Sequence, residues 1–490
     1  MARASDRAKM LGGLISASHL STLTQVPGVL SEQARRYGWS EVLLYLSDIQ
    51  QTVLTLMTGE GADGGRLPGD RPAELQIDGT APGRAFQLGE ILPTSASGGQ
   101  WWVPVLNGTE RVGLMRITTG GPGSGAGPGS GAGSDAGSGS GPDSGPDSDS
   151  APGPDSGSGS GPETGSGSRS RSDGGPGPGA GRDPDAEEAD FQDMRDLAGL
   201  VALLLVTKRG TSDAYARLVR RRRMNVAAEM EWRLMPPRTF ATDRLVVSAL
   251  MEPAYQVSGD AFDYAFADDI AHLCIIDAMG HDTAAGLTAN LAVAACRNHR
   301  RQGSDLVETA NGVEKALIDQ FEHSRYATGI FADLDVGTGR LTWISRGHYP
   351  PVVIRGGRFA VPLACSPAPP MGTGLGIAPA LCREQLEPGD RLLLYTDGIT
   401  EARNPDGEEF GLERFTDFLI RHHADGLPVP ETLRRLIRHH LDYHRGRLSD
   451  DATVLVLEWH GPTPYPPGEA EALVGLPAGS APALLERPTR

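Results

Sequence analysis

The spacing of apolar residues changes character four times along the chain. Over residues 1–119, after a helical opening, short apolar runs alternate with polar or Gly-rich turns: 42–46, 52–57, 101–105 and 112–117. Runs of that length predict strands, and the Ala81-Pro82-Gly83-Arg84-Ala85-Phe86 stretch reads as the start of a helix. The pieces amount to a small α+β module. From Gly120 to Gly181 the pattern stops, because the chain there is almost wholly Gly, Ser, Pro and Asp. Such a segment has nothing apolar to bury against the entropy of ordering, which predicts a disordered linker. Its acidic residues favour extension.

A helical period then sets in over 187–233. Leu197, Leu200, Val201, Leu204 and Leu205 recur at helix spacing, with Asp190 placed to cap the start. Val226, Met230 and Leu234 share one face, and Pro236-Pro237 stop the run. One or two long helices are expected, with Arg220 to Arg223 forming a solvated face. Beyond Thr239 the runs shorten to strand length at 245–250, 272–276, 329–334, 341–345, 352–355, 391–395 and 453–458. Helical stretches are expected at 283–301, 305–322, 412–422 and 430–444. Strands on either side of a central helical pair imply two sheets packed face to face with helices outside.

Length and charge narrow the function. A chain of 490 residues is too long for one ordinary core. A net charge of −17 without a basic stripe argues against nucleic acid as a partner. Cys274, Cys296, Cys365 and Cys382 show no C-x-x-C spacing, so reduced thiols are expected rather than a disulfide framework or a zinc site. The first residues carry no apolar signal region. The most apolar run, 197–206, is far short of the ~20 residues of a membrane span. A cytoplasmic protein with no membrane partner is expected.

The chemistry is carried by acids at the ends of strands. Asp260 lies in Ser258-Gly259-Asp260, Asp277 in Ile276-Asp277-Ala278-Met279-Gly280-His281, and Asp397 in Tyr395-Thr396-Asp397-Gly398. Asp450 and Asp451 precede the last apolar run. One such aspartate is ordinary turn chemistry. Four sites without matching lysines call for a hard, oxygen-loving cation, since burying an unpaired carboxylate costs several kcal/mol, on the order of 2–7.

Ser-Gly-Asp, Asp-Ala-Met-Gly-His, Tyr-Thr-Asp-Gly-Ile-Thr-Glu-Ala and Asp-Asp-Ala-Thr-Val, in that order from Ala227 to Trp459, resemble the metal-dependent phosphatases of the PP2C superfamily. The likeness is to the bacterial SpoIIE/RsbU branch. The Ala227-to-Pro237 segment resembles the helix that enters such domains. The order of pieces before the linker resembles a GAF sensor domain. These likenesses imply an α+β protein: a GAF-like sensor at 1–119, a linker at 120–186 and a helical connection at 187–237. A PP2C-like α-β-β-α sandwich at 238–460 and a disordered tail at 461–490 would complete it.

The resemblance further implies a protein Ser/Thr phosphatase using two divalent ions, Mn²⁺ or Mg²⁺. Asp277 would bridge them, the Ala278 carbonyl would add a ligand, and Asp260, Asp397 and Asp450 would complete the shell, with Asp451 orienting its loop. Water attacks phosphorus in line, with no covalent phospho-enzyme. The implied substrate is a phosphorylated regulatory protein, a STAS-type anti-anti-sigma factor, and the connecting helix is a candidate homodimer stalk. His281 and His348 read as structural, and Gly372, Gly374 and Gly376 are too loosely spaced for a phosphate loop. The arginine that contacts phosphate in eukaryotic relatives has no counterpart near 251–257. The alternatives are a non-catalytic signalling scaffold, in which Asp277 or Asp397 would be free to change, and another two-metal enzyme such as a phosphodiesterase.

Overall fold

The computed structural model describes residues 2–59, 73–94, 99–119, 184–256, 259–446, 448 and 450–464. The Gly/Ser/Pro/Asp stretch expected to be a linker, and all but the first residues of the expected tail, lie outside them.

The first module comprises α1 (Ala2–Ser18), α2 (Val26–Tyr37), β1 (Trp39–Ser47), β2 (Val53–Leu56), β3 (Glu74–Gln76), α3 (Ala81–Leu88), β4 (Leu92–Pro93), β5 (Gln100–Asn107) and β6 (Glu110–Thr119). Its strands form one antiparallel sheet in the order β3-β2-β1-β6-β5-β4. Because successive side chains leave a strand on opposite faces, β1 sends Val42, Leu44 and Leu46 to one core and Tyr45 to another. The first core includes Leu14 and Leu30 from the opening helices, and the second includes Phe86 of α3.

The connection is three helices: α4 (Pro184–Arg209), α5 (Asp213–Val219) and α6 (Val226–Leu234). This corrects the expectation of one or two long helices. Ser212 caps α5 by accepting from the Tyr215 amide at 3.2 Å, and Asn225 caps α6 by accepting from the Ala228 amide at 2.6 Å. The arginine run therefore lies between helices. Arg221, Arg222 and Arg223 are exposed, so the run is solvated as expected but lies on a connection rather than a helical face, where Arg220 pairs with Glu229 and Arg221 with Glu74 at 2.5 and 2.6 Å. Asp190 sits inside α4 instead of capping it. The packed face of α6 also differs from expectation: Val226 is exposed, whereas Ala227, Ala228 and Glu231 are buried. The small alanines let α6 close on the next helix, where a Cβ on Gly286 would come within 2.6 Å of the Ala227 Cβ.

The second module contains β7 (Thr239–Ala241), β8 (Leu245–Glu252), β9 (Asp260–Ala267), β10 (Ile270–Ala278), α7 (Thr283–Arg301), α8 (Leu306–Phe321), β11 (Ala327–Asp335) and β12 (Arg340–Arg346). It continues with β13 (Val352–Arg355), β14 (Phe359–Pro362), β15 (Cys382–Gln385), β16 (Arg391–Tyr395), α9 (Asp397–Thr400), α10 (Leu412–Ala424), α11 (Val429–Tyr443) and β17 (Ala452–Trp459). Two antiparallel sheets result, β15-β12-β11-β10-β9 and β14-β13-β16-β17-β8-β7.

Alternation builds the layers. On β10, Leu273 and Ile275 face the core between the sheets, while Cys274 and Ile276 pack with α7 and α8 residues such as Val293 and Val313. On β17, Leu455 and Leu457 face the same central core, while Val454 and Val456 pack with Phe415 and Leu436 of α10 and α11. Each such side chain removed from water contributes roughly 1.5–3 kcal/mol. The expected α-β-β-α sandwich is what forms. β9, β14 and β15 were not legible as apolar runs. β14 is exposed throughout, and β15 alternates exposed with half-buried positions.

The expectation of reduced thiols fails for one pair. Cys365 and Cys382 form a disulfide with Cα atoms 5.9 Å apart, while Cys274 and Cys296 are free and buried. Cys382 opens β15 opposite Trp343 of β12, and the excursion between the strands brings Cys365 back beside it. A pairing made by tertiary return across 17 residues leaves no local spacing to read. Among the described residues, no helix is long and apolar enough to cross a membrane.

Candidate active site

The antiparallel register of β9 and β10 sets Asp260 directly opposite Asp277, near the open end of one sheet. In the other sheet, β16 ends at Tyr395, so that Asp397 opens α9, and Asp450 and Asp451 immediately precede β17. Since β16 and β17 are paired, their loops leave side by side. The strand ends of both sheets thus bring these acids toward one mouth of the sandwich, with Asp260 opposite Asp277 in register and the loops of Asp397, Asp450 and Asp451 leaving side by side.

Burial pushes the Asp277 carboxyl up to about 7, and the carboxylates of Asp397, Asp450 and Asp451 push in the same direction. Asp260, 2 % exposed, is raised well above the usual range by burial first and by Asp277 and Asp451 next. Asp397 is raised by burial, with Asp450 and Glu401 adding to it. Among the described residues, none of Asp260, Asp277, Asp397 or Asp450 has a lysine or arginine in ion-pair range. Like charges gathered without a counter-charge are the signature of a cation site.

Threonines and glycines hold the mouth in shape. Thr396 donates its hydroxyl to Asp260 Oδ2 at 2.6 Å and accepts from the Thr453 amide at 2.9 Å, tying β16, β17 and β9 together. Asp451 Oδ2 accepts from the Gly259 amide at 2.8 Å, and Asp450 Oδ1 accepts from the Asp451 amide at 2.9 Å. Asp451 is thereby a loop anchor, as the sequence implied. Two glycines are sterically required. A Cβ on Gly259 would lie 2.7 Å from the Gly280 carbonyl oxygen and 2.9 Å from that of Ala278, and a Cβ on Gly398 would lie 1.8 Å from the Asp451 carbonyl oxygen.

The donor set fits a divalent cation in kind: oxygen donors only, carbonyls converging beside Gly259, and uncompensated negative charge. Among the described residues, no three His, Cys, Asp or Glu side chains are gathered into a ready cage. The carboxylates are coupled through space rather than closed around one point.

Several neighbours were missed by, or clarify, the sequence reading. Arg325 Nη1 donates to the Met279 carbonyl at 3.1 Å, and its guanidinium pairs with Asp282 at 3.2 Å, setting a cation beside the loop that follows Asp277. Nothing local to the Asp motifs signals it. Glu231 of α6 is 1 % exposed, neither of its oxygens has a hydrogen-bond partner, and burial followed by the Asp451 charge raises it to about 9.

His348 meets the Thr328 hydroxyl through Nδ1 at 2.7 Å and the Tyr395 carbonyl through Nε2 at 3.0 Å. It joins β11 to β16 across the two sheets and is architectural, with burial lowering its imidazole to about 4. His281 is exposed. The Gly372 and Gly374 amides donate to Glu314 at 2.6 and 2.8 Å, so that loop is occupied by a carboxylate and offers no phosphate cradle.

With the geometry in place, residues 267–460 match the family model described as stage II sporulation protein E (SpoIIE). The chain is 24% identical over 249 residues to protein IcfG of Synechocystis, covering 43% of this chain and 37% of IcfG. It is 24% identical over 242 residues to the phosphoserine phosphatase RsbU of Bacillus subtilis, covering 48% of this chain and 69% of RsbU. The matched region thus spans little more than a third of IcfG. Among solved structures, the RsbU and RsbW domains of a Mycobacterium tuberculosis protein align at a TM-score of 0.42 and 23% identity, covering 47% of this chain and 64% of that one. The SpoIIE family match thus takes in Asp277, Asp397, Asp450 and Asp451, while Asp260 lies just before it.

Proposed function

We propose that the chain is a metal-dependent protein phosphatase that hydrolyses phosphoserine or phosphothreonine on a regulatory protein, with an anti-anti-sigma factor as the substrate class. One observation carries the reading most: Asp277, opposite Asp260 in register, is raised to about 7 by burial and by the carboxylates of Asp397 and Asp450, with no lysine or arginine in ion-pair range among the described residues. The SpoIIE family match supports the reaction class. The similarity to the phosphoserine phosphatase RsbU supports the substrate class.

Asp277, Asp397, Asp450 and the Ala278 carbonyl are the groups that would hold two divalent ions, Mn²⁺ or Mg²⁺, with Asp260 completing the set from behind. When bound, the ions supply Lewis acidity for attack of water on phosphorus. The chain's own part is placement. Thr396 fixes Asp260, Asp451 fixes the Gly259 turn, and Arg325 presents a guanidinium beside the loop after Asp277, where a phosphoryl oxygen can be met. The GAF-like sensor reading of the first module, the cytoplasmic location and the homodimer through the connecting helices belong to the same proposal.

The test is hydrolysis of p-nitrophenyl phosphate and of a phosphoserine peptide, with manganese or with EDTA, in the wild type and in Asp277→Asn. Turnover that needs the metal and disappears in the variant supports the reading. Turnover that persists in EDTA or in the variant overturns it.

A further inference from the structure

Away from the acidic mouth, a cavity of about 620 Å³ opens where three segments meet. The β5–β6 hairpin contributes Glu110 and Arg111, the helical connection contributes Arg209, Tyr215 and Trp232, and Arg238 follows at the entrance to the second module. The volume falls within the range of small-molecule pockets.

Its charge is out of balance. Most carboxylates on its wall have partners: Glu110 is paired with Arg209 at 2.7 Å through Oε1 while its Oε2 is buried without a hydrogen-bond partner among the described residues, Glu229 is paired with Arg220 at 2.5 Å, and Asp48 accepts from the amides of Thr52 and Val53 at 2.7 and 2.8 Å. Asp213, also on the wall, is exposed. Among the described residues, three guanidiniums on the wall make no ion pair: the exposed Arg233, which donates to the Gly210 carbonyl, and Arg111 and Arg238, both desolvated by burial. Arg111, 8 % exposed, donates only to the Phe86 and Gln87 carbonyls, at 3.0 and 2.9 Å. Arg238 donates to the Ile49 carbonyl and stands 5.7 Å over the Trp232 ring. Among the described residues, neither has a carboxylate within ion-pair distance.

Burial lowers both guanidiniums from their usual range. Carboxylates oppose that shift from beyond ion-pair distance, Glu431 for Arg111 and Glu110, Asp48 and Glu252 for Arg238, and neither guanidinium makes a direct charge pair that would offset its desolvation. Beside these charges stand the Trp232 and Tyr215 rings and the Met224 and Met235 side chains.

We propose that this cavity is a binding site for a small organic oxyanion, its carboxylate or phosphate set against Arg111 and Arg238 and its flat or aliphatic body against Trp232. The site lies outside the proposed catalytic mouth and does not depend on it. Since its walls come from the first module, the connecting helices and the entrance to the second, a bound anion joins all three.

The experiment is isothermal titration calorimetry of the full chain in EDTA, which disables any metal-dependent phosphate binding. Phenyl phosphate and benzoate are the probes, with benzyl alcohol as their neutral counterpart. One or both anions are expected to bind at one site per chain with Kd below about 1 mM, and benzyl alcohol is not. Arg238→Met, which gives up a single hydrogen bond to the chain, is expected to weaken binding roughly tenfold or more, because charge-assisted hydrogen bonds are worth about 1.5–3 kcal/mol. Arg111→Met gives a second reading, with far-UV circular dichroism verifying the fold of both, and Asp277→Asn is expected to bind as wild type does. Absence of heat from both anions, equal binding of benzyl alcohol, or unchanged affinity in Arg238→Met overturns the proposal. So does binding that vanishes in Asp277→Asn, which would place the anion at the catalytic mouth.

Discussion

The acidic mouth and the arginine-lined cavity pose the same physical problem with opposite signs. At the mouth, burial and neighbouring carboxylates raise the acids' pKa with no lysine or arginine in ion-pair range among the described residues. In the cavity, two desolvated guanidiniums hold only carbonyl oxygens. In both places a folded chain tolerates charge that its own side chains do not pair directly, and in both the proposed partner follows from sign and hardness: a divalent cation in one, an oxyanion in the other. The difference lies in how they are built. The mouth is made of loops fixed by strand pairing and a threonine clamp, so it is set by the sandwich itself. The cavity exists only while three separate segments stay together.

The largest separation of the two sites is expected from Asp277→Asn. Losing several kcal/mol of metal-borne stabilisation should lower manganese-dependent phosphopeptide turnover roughly a thousandfold while leaving the titration with phenyl phosphate in EDTA unchanged. Parallel loss of both would collapse the comparison.

Metal linkage is the next effect in size. Manganese at a hundredfold excess over its dissociation constant should stabilise the wild type by about 2.7 kcal/mol, read as a rise in melting temperature, and should do much less for Asp277→Asn. Benzoate should raise the melting temperature of both proteins alike.

Thr396→Val tests whether the mouth is held by its clamp. The variant leaves the Thr453 amide and Asp260 Oδ2 without the hydroxyl they share. A stability loss of about 2 kcal/mol in urea and a fall in kcat of roughly 10–100-fold are expected, with the cavity titration intact.

The smallest effect belongs to Glu231, which lies behind the mouth. Its folded-state carboxyl, raised to about 9, stays protonated at neutral pH. A group raised above its unfolded value of about 4.5 gives its full relative stability below that pH and loses it as pH climbs through 9. The urea midpoint of the wild type should therefore fall between pH 5 and pH 9. Glu231→Gln should flatten that slope and gain about 1 kcal/mol at the alkaline end. A wild-type midpoint that holds steady over the range would show Glu231 to be better solvated than its burial implies.

The mouth was legible in the sequence and the cavity was not, for physical reasons. Asp260, Asp277, Asp397 and Asp450 each stand at the edge of an apolar run, so local pattern gives both their place and their oddity. The sandwich was equally readable wherever strands are buried, as in β10 and β17, but not where β14 lies exposed. Arginines carry no such mark. Arg111 sits at a hairpin and Arg238 after a proline pair, 127 positions apart by subtraction of their numbers, and only tertiary packing desolvates them. The same limit hid Arg325, the Cys365–Cys382 bridge and the inward face of α6, where two alanines decided the packing against the larger Val226.

The close pass of Gly398 over the Asp451 carbonyl bears on how this domain can change by descent. The aspartates are the groups proposed for chemistry, whereas the glycine is needed so that the two loops can lie where they do. A lineage that gave up catalysis and kept the fold would be free to lose Asp277 or Asp397 but would still be bound to Gly398.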